Sequence, residues 1–161
     1  MPNWVDCDFV VEGSKDELQK FKKFAKEGKD LLSANKFIPY PKKYKKLDDM
    51  AEKAEKEHKP RPKDGFNSGG YEWCIKNWGT KWGIVDAELL EESGDRLTYA
   101  FITAWSTPTP LVEKMSEMFP KLTFELSYYE ASMEFSGKLE VKGGIITKDE
   151  YDSKYNGYRG G

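Results

Sequence analysis

The apolar spacing of this chain switches from two residues to about 3.6 and back, twice over, and that rhythm limits the folds open to it. In WVDCDFVVE, residues 4–12, Val5, Cys7, Phe9 and Val11 fall on one side, and Trp4, Asp6, Asp8 and Val10 on the other. This is the spacing of a half-buried strand. Ser14 and Glu17 then form a capping box, and Leu18, Phe21, Phe24 and Ala25 recur at helical spacing until Gly28. Further on, IVDAELLEE and RLTYAFITAW flank a Ser-Gly-Asp turn and read as a hairpin. Thr109 caps a second helix with Pro110 at its first position, an apolar stripe of Leu111, Met115, Met118 and Phe119, and a stop at Pro120. LTFELSYYE supplies the fourth strand. The order β-α-β-β-α-β predicts a ferredoxin-like α+β fold, a split βαβ sheet with two helices on one face.

Two additions modify it. MEFSGKLEVKGG and IITKDEY read as a C-terminal hairpin turning at Gly143-Gly144, followed by a loose tail, NGYRGG. The second addition separates the first helix from the second strand: residues 29–83, far longer than the usual connection of about 4–6 residues. Its parts are a proline-broken basic stretch, FIPYPKKYKK, a polar segment LDDMAEKAEKEH able to form a short helix, a linker KPRPKDGFNSGG, and the tryptophan-rich EWCIKNWGTKWG. In the last of these, Tyr71, Cys74, Ile75 and Trp78 share one face of a helix closed by Gly79, and Trp73 points elsewhere. With 161 residues and aromatics at 14%, the whole is expected to form a single domain, 1–161, with the insertion packed on the sheet.

What the insertion covers is argued from the third strand. If the small side chains of Ala100, Ile102 and Ala104 lie under the helices, Tyr99, Phe101, Thr103 and Trp105 face the helix-free side. Rings in such a row call for a cover, and the insertion is expected to supply it as a lid. Tyr99-Ala100-Phe101-Ile102 overlaps the core of an RNA-recognition motif, but Asp6 and Asp8 on the neighbouring strand would repel phosphates there. Asp6, Asp8 and Glu125 also raise a metal site; the alternative weighed above it is that they accept indole N–H groups or pair with Lys81.

The net charge of -2 gives no global attraction to nucleic acid or membranes. The single histidine, His58, sits in a Lys/Glu-rich stretch and has no nucleophile partner, so catalytic residues, metal and cofactor are all expected to be absent. Two cysteines, no leader pattern and no long apolar run predict a cytoplasmic protein without a membrane partner. Between Lys42 and Lys63 nine basic residues face five acids, and Lys42, Lys43, Lys45 and Lys46 form a possible basic patch; residues 86–95 hold five acids and no base.

Asn3-Trp4, NWGTKW at 77–82, FITAWSTPTP at 101–110, FPKLTFELSYYE at 119–130 and FSG at 135–137 together resemble the YubB-like family of phage- and plasmid-encoded proteins. The resemblance implies a ferredoxin-like domain and supplies no catalytic residues. The expected function is that of a non-enzymatic accessory protein that binds a host or defence-system protein, as an inhibitor for instance, through Trp73, Lys81, Trp82 and Trp105. Two alternatives stand beside it: nucleic-acid binding through the basic arm 42–63, and a small-molecule or enzyme pocket between insertion and sheet.

Overall fold

A computed structural model describes residues 2–152; the NGYRGG tail lies outside the described residues. The alternating segments form six strands, β1 (Trp4–Glu12), β2 (Val85–Glu92), β3 (Arg96–Ala104), β4 (Thr123–Glu130), β5 (Phe135–Lys142) and β6 (Ile145–Tyr151). They make one antiparallel sheet in the order β2-β3-β1-β4-β5-β6. Helices α1 (Lys15–Ala25) and α5 (Thr109–Met118) are the two crossovers of the ferredoxin-like unit, and β5 and β6 extend it past β4. Ser14 Oγ accepts the Glu17 N–H at 3.3 Å, half of the expected capping box. Gly143 and Gly144, with φ of 59° and 76°, form the two-residue turn between β5 and β6, a backbone shape that glycine adopts without penalty. At α5 the cap position is Pro108, with no side-chain cap bond; the hydroxyls of Thr107 and Thr109 instead lie 3.2 Å apart.

Register settles which face is buried. Val5 pairs with Thr103, Cys7 with Phe101, Phe9 with Tyr99 and Val11 with Leu97, and all eight are buried. On the other side Phe9 pairs with Leu126 and Val11 with Phe124, also buried. Under the helices the Phe21 ring meets Phe37, Phe119 and Phe124 at centroid distances of 5.6, 5.3 and 5.5 Å. The helix-free face instead carries Asp6, Asp8 and Val10 of β1 opposite Ile102, Ala100 and Thr98 of β3.

This reverses the expected phase of β3. Tyr99, Phe101 and Thr103 lie on the helix-covered face, and Ala100, Ile102 and Ala104 on the other. The reason is volume: two helices crossing a sheet leave gaps that large rings fill, whereas Ala100 and Ala104 are sealed by their neighbours although no helix covers them. The RNA-recognition comparison falls with it, because the two rings it would need face the core.

The insertion is likewise not a lid on the open face. It joins the helical side through α2 (Ala34–Phe37) and α4 (Tyr71–Trp78), whose Ala34, Phe37, Cys74 and Trp78 belong to the same apolar cluster as Val5, Phe9 and Phe21. Only its end reaches the open face, where Trp82 lies against Trp4 at 5.9 Å. Between α2 and α4 run α3 (Lys42–Lys56), which begins at the lysines and buries only Ala51, and a single π turn, Phe66–Gly70. In α4 the inward residues are Cys74 and Trp78, with Trp73 half-buried beside them, while Tyr71 and Ile75 are exposed.

The face assignment is directly testable. Phe101→Ala should cost about 3–5 kcal/mol of unfolding free energy, the range for a fully buried ring, and its neighbour Ile102→Ala about 1 kcal/mol, each read from urea denaturation.

Candidate functional site

The C-terminus of α4 fixes the groove that carries most of the exposed rings. Gly79 ends the helix at φ 78°, and a Cβ there would come within 2.5 Å of Pro110 Cδ and 2.9 Å of the Thr107 carbonyl oxygen, so the chain passes tight against the start of α5. Thr80 is fully buried and its hydroxyl donates to the Ala104 carbonyl at 2.8 Å; the Ser106 hydroxyl donates to the Gly79 carbonyl at 2.6 Å. The Trp105 main-chain N–H donates to the Asn3 carbonyl at 2.8 Å. These bonds lock residues 79–82 to the end of β3. Trp105 there takes φ 73°, a costly backbone for a bulky side chain, and points its ring outward.

Lys81, Trp82 and Trp105 therefore meet. The Lys81 ammonium lies 4.5 Å from the Trp82 ring centroid and 5.9 Å from those of Phe66 and Trp105. Each contact is a cation–π attraction of about 0.5–1 kcal/mol where solvent is near. Trp82 rests in turn on Trp4 at 5.9 Å. Among the described residues no carboxylate pairs with Lys81. Trp82 is 43% exposed, Trp105 53% and Tyr71 44%, high for rings of this size. A hollow of about 380 Å³ opens between Phe66, Tyr71, Glu72, Lys81 and Trp105.

A second hollow, about 340 Å³, shares Phe66 and Lys81 with the first and is bounded by Tyr40, Lys45, Asp48, Trp78 and Trp82. All of these belong to residues 29–83, so this hollow lies within the insertion, whereas the first lies between the insertion and Trp105 at the end of β3. Asp48 organises it: one oxygen accepts the Phe66 N–H at 2.9 Å and the other the Tyr40 hydroxyl at 3.0 Å. Asp64 braces the π turn by accepting the backbone and side-chain N–H groups of Asn67 at 2.7 and 3.0 Å and the Arg61 guanidinium at 2.9 Å. The Trp78 indole donates to the Ile38 carbonyl at 2.8 Å, tying α4 to α2. Burial, then the bond to Asp48, pushes the Tyr40 hydroxyl well above its ordinary range. Burial, then the Asp48 charge, raises the Cys74 thiol to about 11, which keeps it protonated and unreactive at neutral pH.

The remaining residues singled out in the sequence fall elsewhere. Trp73 packs edge-on against Tyr40 and Trp78 at 5.6 and 5.1 Å and borders a separate hollow with Lys76 and Asn77. Lys42, Lys43, Lys45 and Lys46 open α3; Lys45 pairs with Asp49 at 3.2 Å, and Lys43 lies 4.8 Å from the Tyr44 ring. Asp6 and Asp8 stay on the open sheet face, and Glu125 pairs with Lys138 at 3.2 Å. Among the described residues no three His, Cys, Asp or Glu side chains gather around a possible metal position. Phe66, Tyr40 and Asp48 had no sequence signal beyond a lone ring in a glycine-rich linker, a tyrosine between two prolines and one acid in a basic run.

Strand order, antiparallel pairing and the two crossover helices define a ferredoxin-like α+β protein. The chain belongs to the family defined by the ferredoxin-like domain in Api92-like protein, whose model matches residues 77–159, just over half of the sequence. The crystal structure of a protein api92 from Yersinia pseudotuberculosis has the same fold, with a TM-score of 0.64 over 96% of this chain and 100% of that one at 7% sequence identity. No curated protein matches. No helix among the described residues is long and apolar enough to cross a membrane.

The Tyr40–Asp48 bond predicts a pH signature. Because the folded chain holds the Tyr40 proton above the ordinary value of 10.0, the unfolded chain binds fewer protons there in alkali. Stability is thus unaffected below about pH 9 and falls as pH rises past 10, with Tyr99 and Tyr128 acting in the same sense. Tyr40→Phe should cost about 1 kcal/mol at pH 7 and flatten the alkaline decline, as measured by urea denaturation at stepped pH.

Proposed function

We propose that the chain is a non-enzymatic accessory protein of the phage and plasmid type, acting by binding a host or defence-system protein through the groove around Lys81. The observation that supports this reading is the set of exposed rings, Tyr71, Trp82 and Trp105, beside a concavity, where bonds from Thr80 and Ser106 fix the segments that carry Trp82 and Trp105. Tryptophan and tyrosine are the side chains that dominate binding energy at protein interfaces, since they offer large apolar area with few torsions to freeze. Ordering costs little when the anchors are already fixed. The resemblance of NWGTKW and FITAWSTPTP to the YubB-like family supports the mobile-element setting, and those two motifs contain Lys81, Trp82 and Trp105.

The nucleic-acid reading keeps one supporting observation: Lys42, Lys43 and Lys46 are exposed on the first turns of α3, and no carboxylate among the described residues pairs with them. Farther along the same helix, Lys53 and Lys56 are engaged by Glu57 and Glu52 at 4.0 and 2.6 Å, which thins the positive field.

Immobilised full-length protein should retain a stoichiometric partner from host lysate at low salt. The Trp82→Ala/Trp105→Ala variant, checked for folding by circular dichroism, should lose it, and Thr98→Ala on the open sheet face should keep it. Undiminished capture by the double variant, or no stoichiometric partner at all, would sink this reading.

A further inference from the structure

The two sites singled out separately in the sequence, the tryptophan segment and the lysine run, are joined in space. Phe66 and Lys81 bound both hollows described above. Lys45 and Asp49 bound the second hollow and also a third, shallow one of about 350 Å³ that continues along α3 past Lys42, Lys46 and Met50. The three concavities share walls in sequence, so they make one trough, ring-lined at the Trp105 end and lysine-lined at the α3 end.

Its charge is uneven in a useful way. Five lysines, 42, 45, 46, 53 and 81, stand along it against Asp48, Asp49 and Glu72; Lys45 is paired with Asp49 and Lys53 with Glu57, which leaves Lys42, Lys46 and Lys81 for a ligand. Asp48 is consumed by the Phe66 N–H and the Tyr40 hydroxyl, and Asp49 by Lys45. Lys81 has rings on three sides and makes no ion pair among the described residues, although Glu72 lines the same hollow, and Lys42 and Lys46 are exposed and without an ion pair there. An ammonium held against ring faces sheds part of its hydration and gains most from a carboxylate that arrives with its own apolar cover. Met50, 52% exposed in the basic stretch, adds an adaptable apolar contact there.

We infer that the trough binds an extended acidic segment of the partner protein, in which carboxylates meet Lys81 and the α3 lysines and an aromatic or aliphatic residue packs against Phe66 and Trp105. This rests on the docking reading above and adds the chemistry of the partner. A single nucleic-acid strand fits less well, because it brings a phosphate at every nucleotide and would carry several past Asp49 and Glu72, whereas a peptide spaces its charges. Charge pairing of this kind sets specificity and on-rate more than total affinity, so the complex is salt-sensitive.

The test uses full-length protein and three probes of about twelve units: a labelled peptide in which glutamates alternate with phenylalanine and serine, the same peptide with glutamine for glutamate, and an oligothymidylate. Binding is followed by anisotropy and by amide shifts. The acidic peptide should shift the amides of Lys81, Trp82, Trp105 and Lys45, and the glutamine peptide should bind at least about tenfold more weakly. Lys81→Met, which keeps the stem and removes the charge, should weaken the acidic peptide about tenfold, and Lys45→Met/Lys46→Met by a similar factor. Equal binding of the two peptides would overturn the acidic specificity and leave the docking surface standing. Preference for the oligonucleotide in the same trough would replace the inference with nucleic-acid binding, and a Lys81-dependent dimer in sedimentation would make a second copy the occupant. Failure of every probe, while Trp82→Ala/Trp105→Ala still loses the lysate partner, would remove the acidic segment alone.

Discussion

Phe37 stacked on Phe21, 5.6 Å between centroids, is the contact through which an insertion becomes part of a scaffold. Phe21 belongs to the first crossover helix and Phe37 to the short helix that opens the insertion; Phe119, at the end of the second crossover helix, closes on both. Because the insertion shares the apolar volume beneath the helices, its far end has a fixed place to return to. Trp78 fills that place and its indole N–H donates a hydrogen bond to the carbonyl of Ile38, the residue after Phe37. The groove around Lys81 inherits its position from this closed circuit, since Gly79, Thr80 and Lys81 follow Trp78 directly.

A surface built on loops usually gives up precision, yet here the loop ends are pinned. Thr80 and Ser106 exchange hydroxyl bonds with main-chain carbonyls across the junction of insertion and sheet, and Trp105 holds a left-handed backbone at the end of a strand. Strain that persists at an exposed ring is maintained by its surroundings, and the tryptophan gains no burial from it. The exposure of Trp82 and Trp105 is thus a property of the fold and not of a frayed segment.

Much of the scaffold was legible because strands one face deep in the core alternate cleanly, as β1 and β4 do. The third strand misled for a physical reason: Tyr99, Ala100 and Phe101 are all buried, so burial does not alternate along it and size gave the wrong face. A central strand shielded on both sides carries no period to read. Ring density singles out Trp73, Lys81, Trp82 and Trp105; the fold brings the last three together, while α4 turns Trp73 toward Trp78. Phe66 and Asp48 were out of reach, since both act only after α3 and the π turn have folded back on each other, a tertiary event with no local pattern.

Helix α3 buries a single alanine and is held to the domain by one side, through Tyr44, Asp48 and Ala51, while Lys42, Lys43, Lys46, Lys53 and Lys56 stand on its exposed side. Charge substitutions on that exposed side meet little folding cost, while those at Asp48, Phe37 or Trp78 do. The electrostatics of this arm can therefore change with the scaffold left intact, giving one architecture a changeable half and a conservative half.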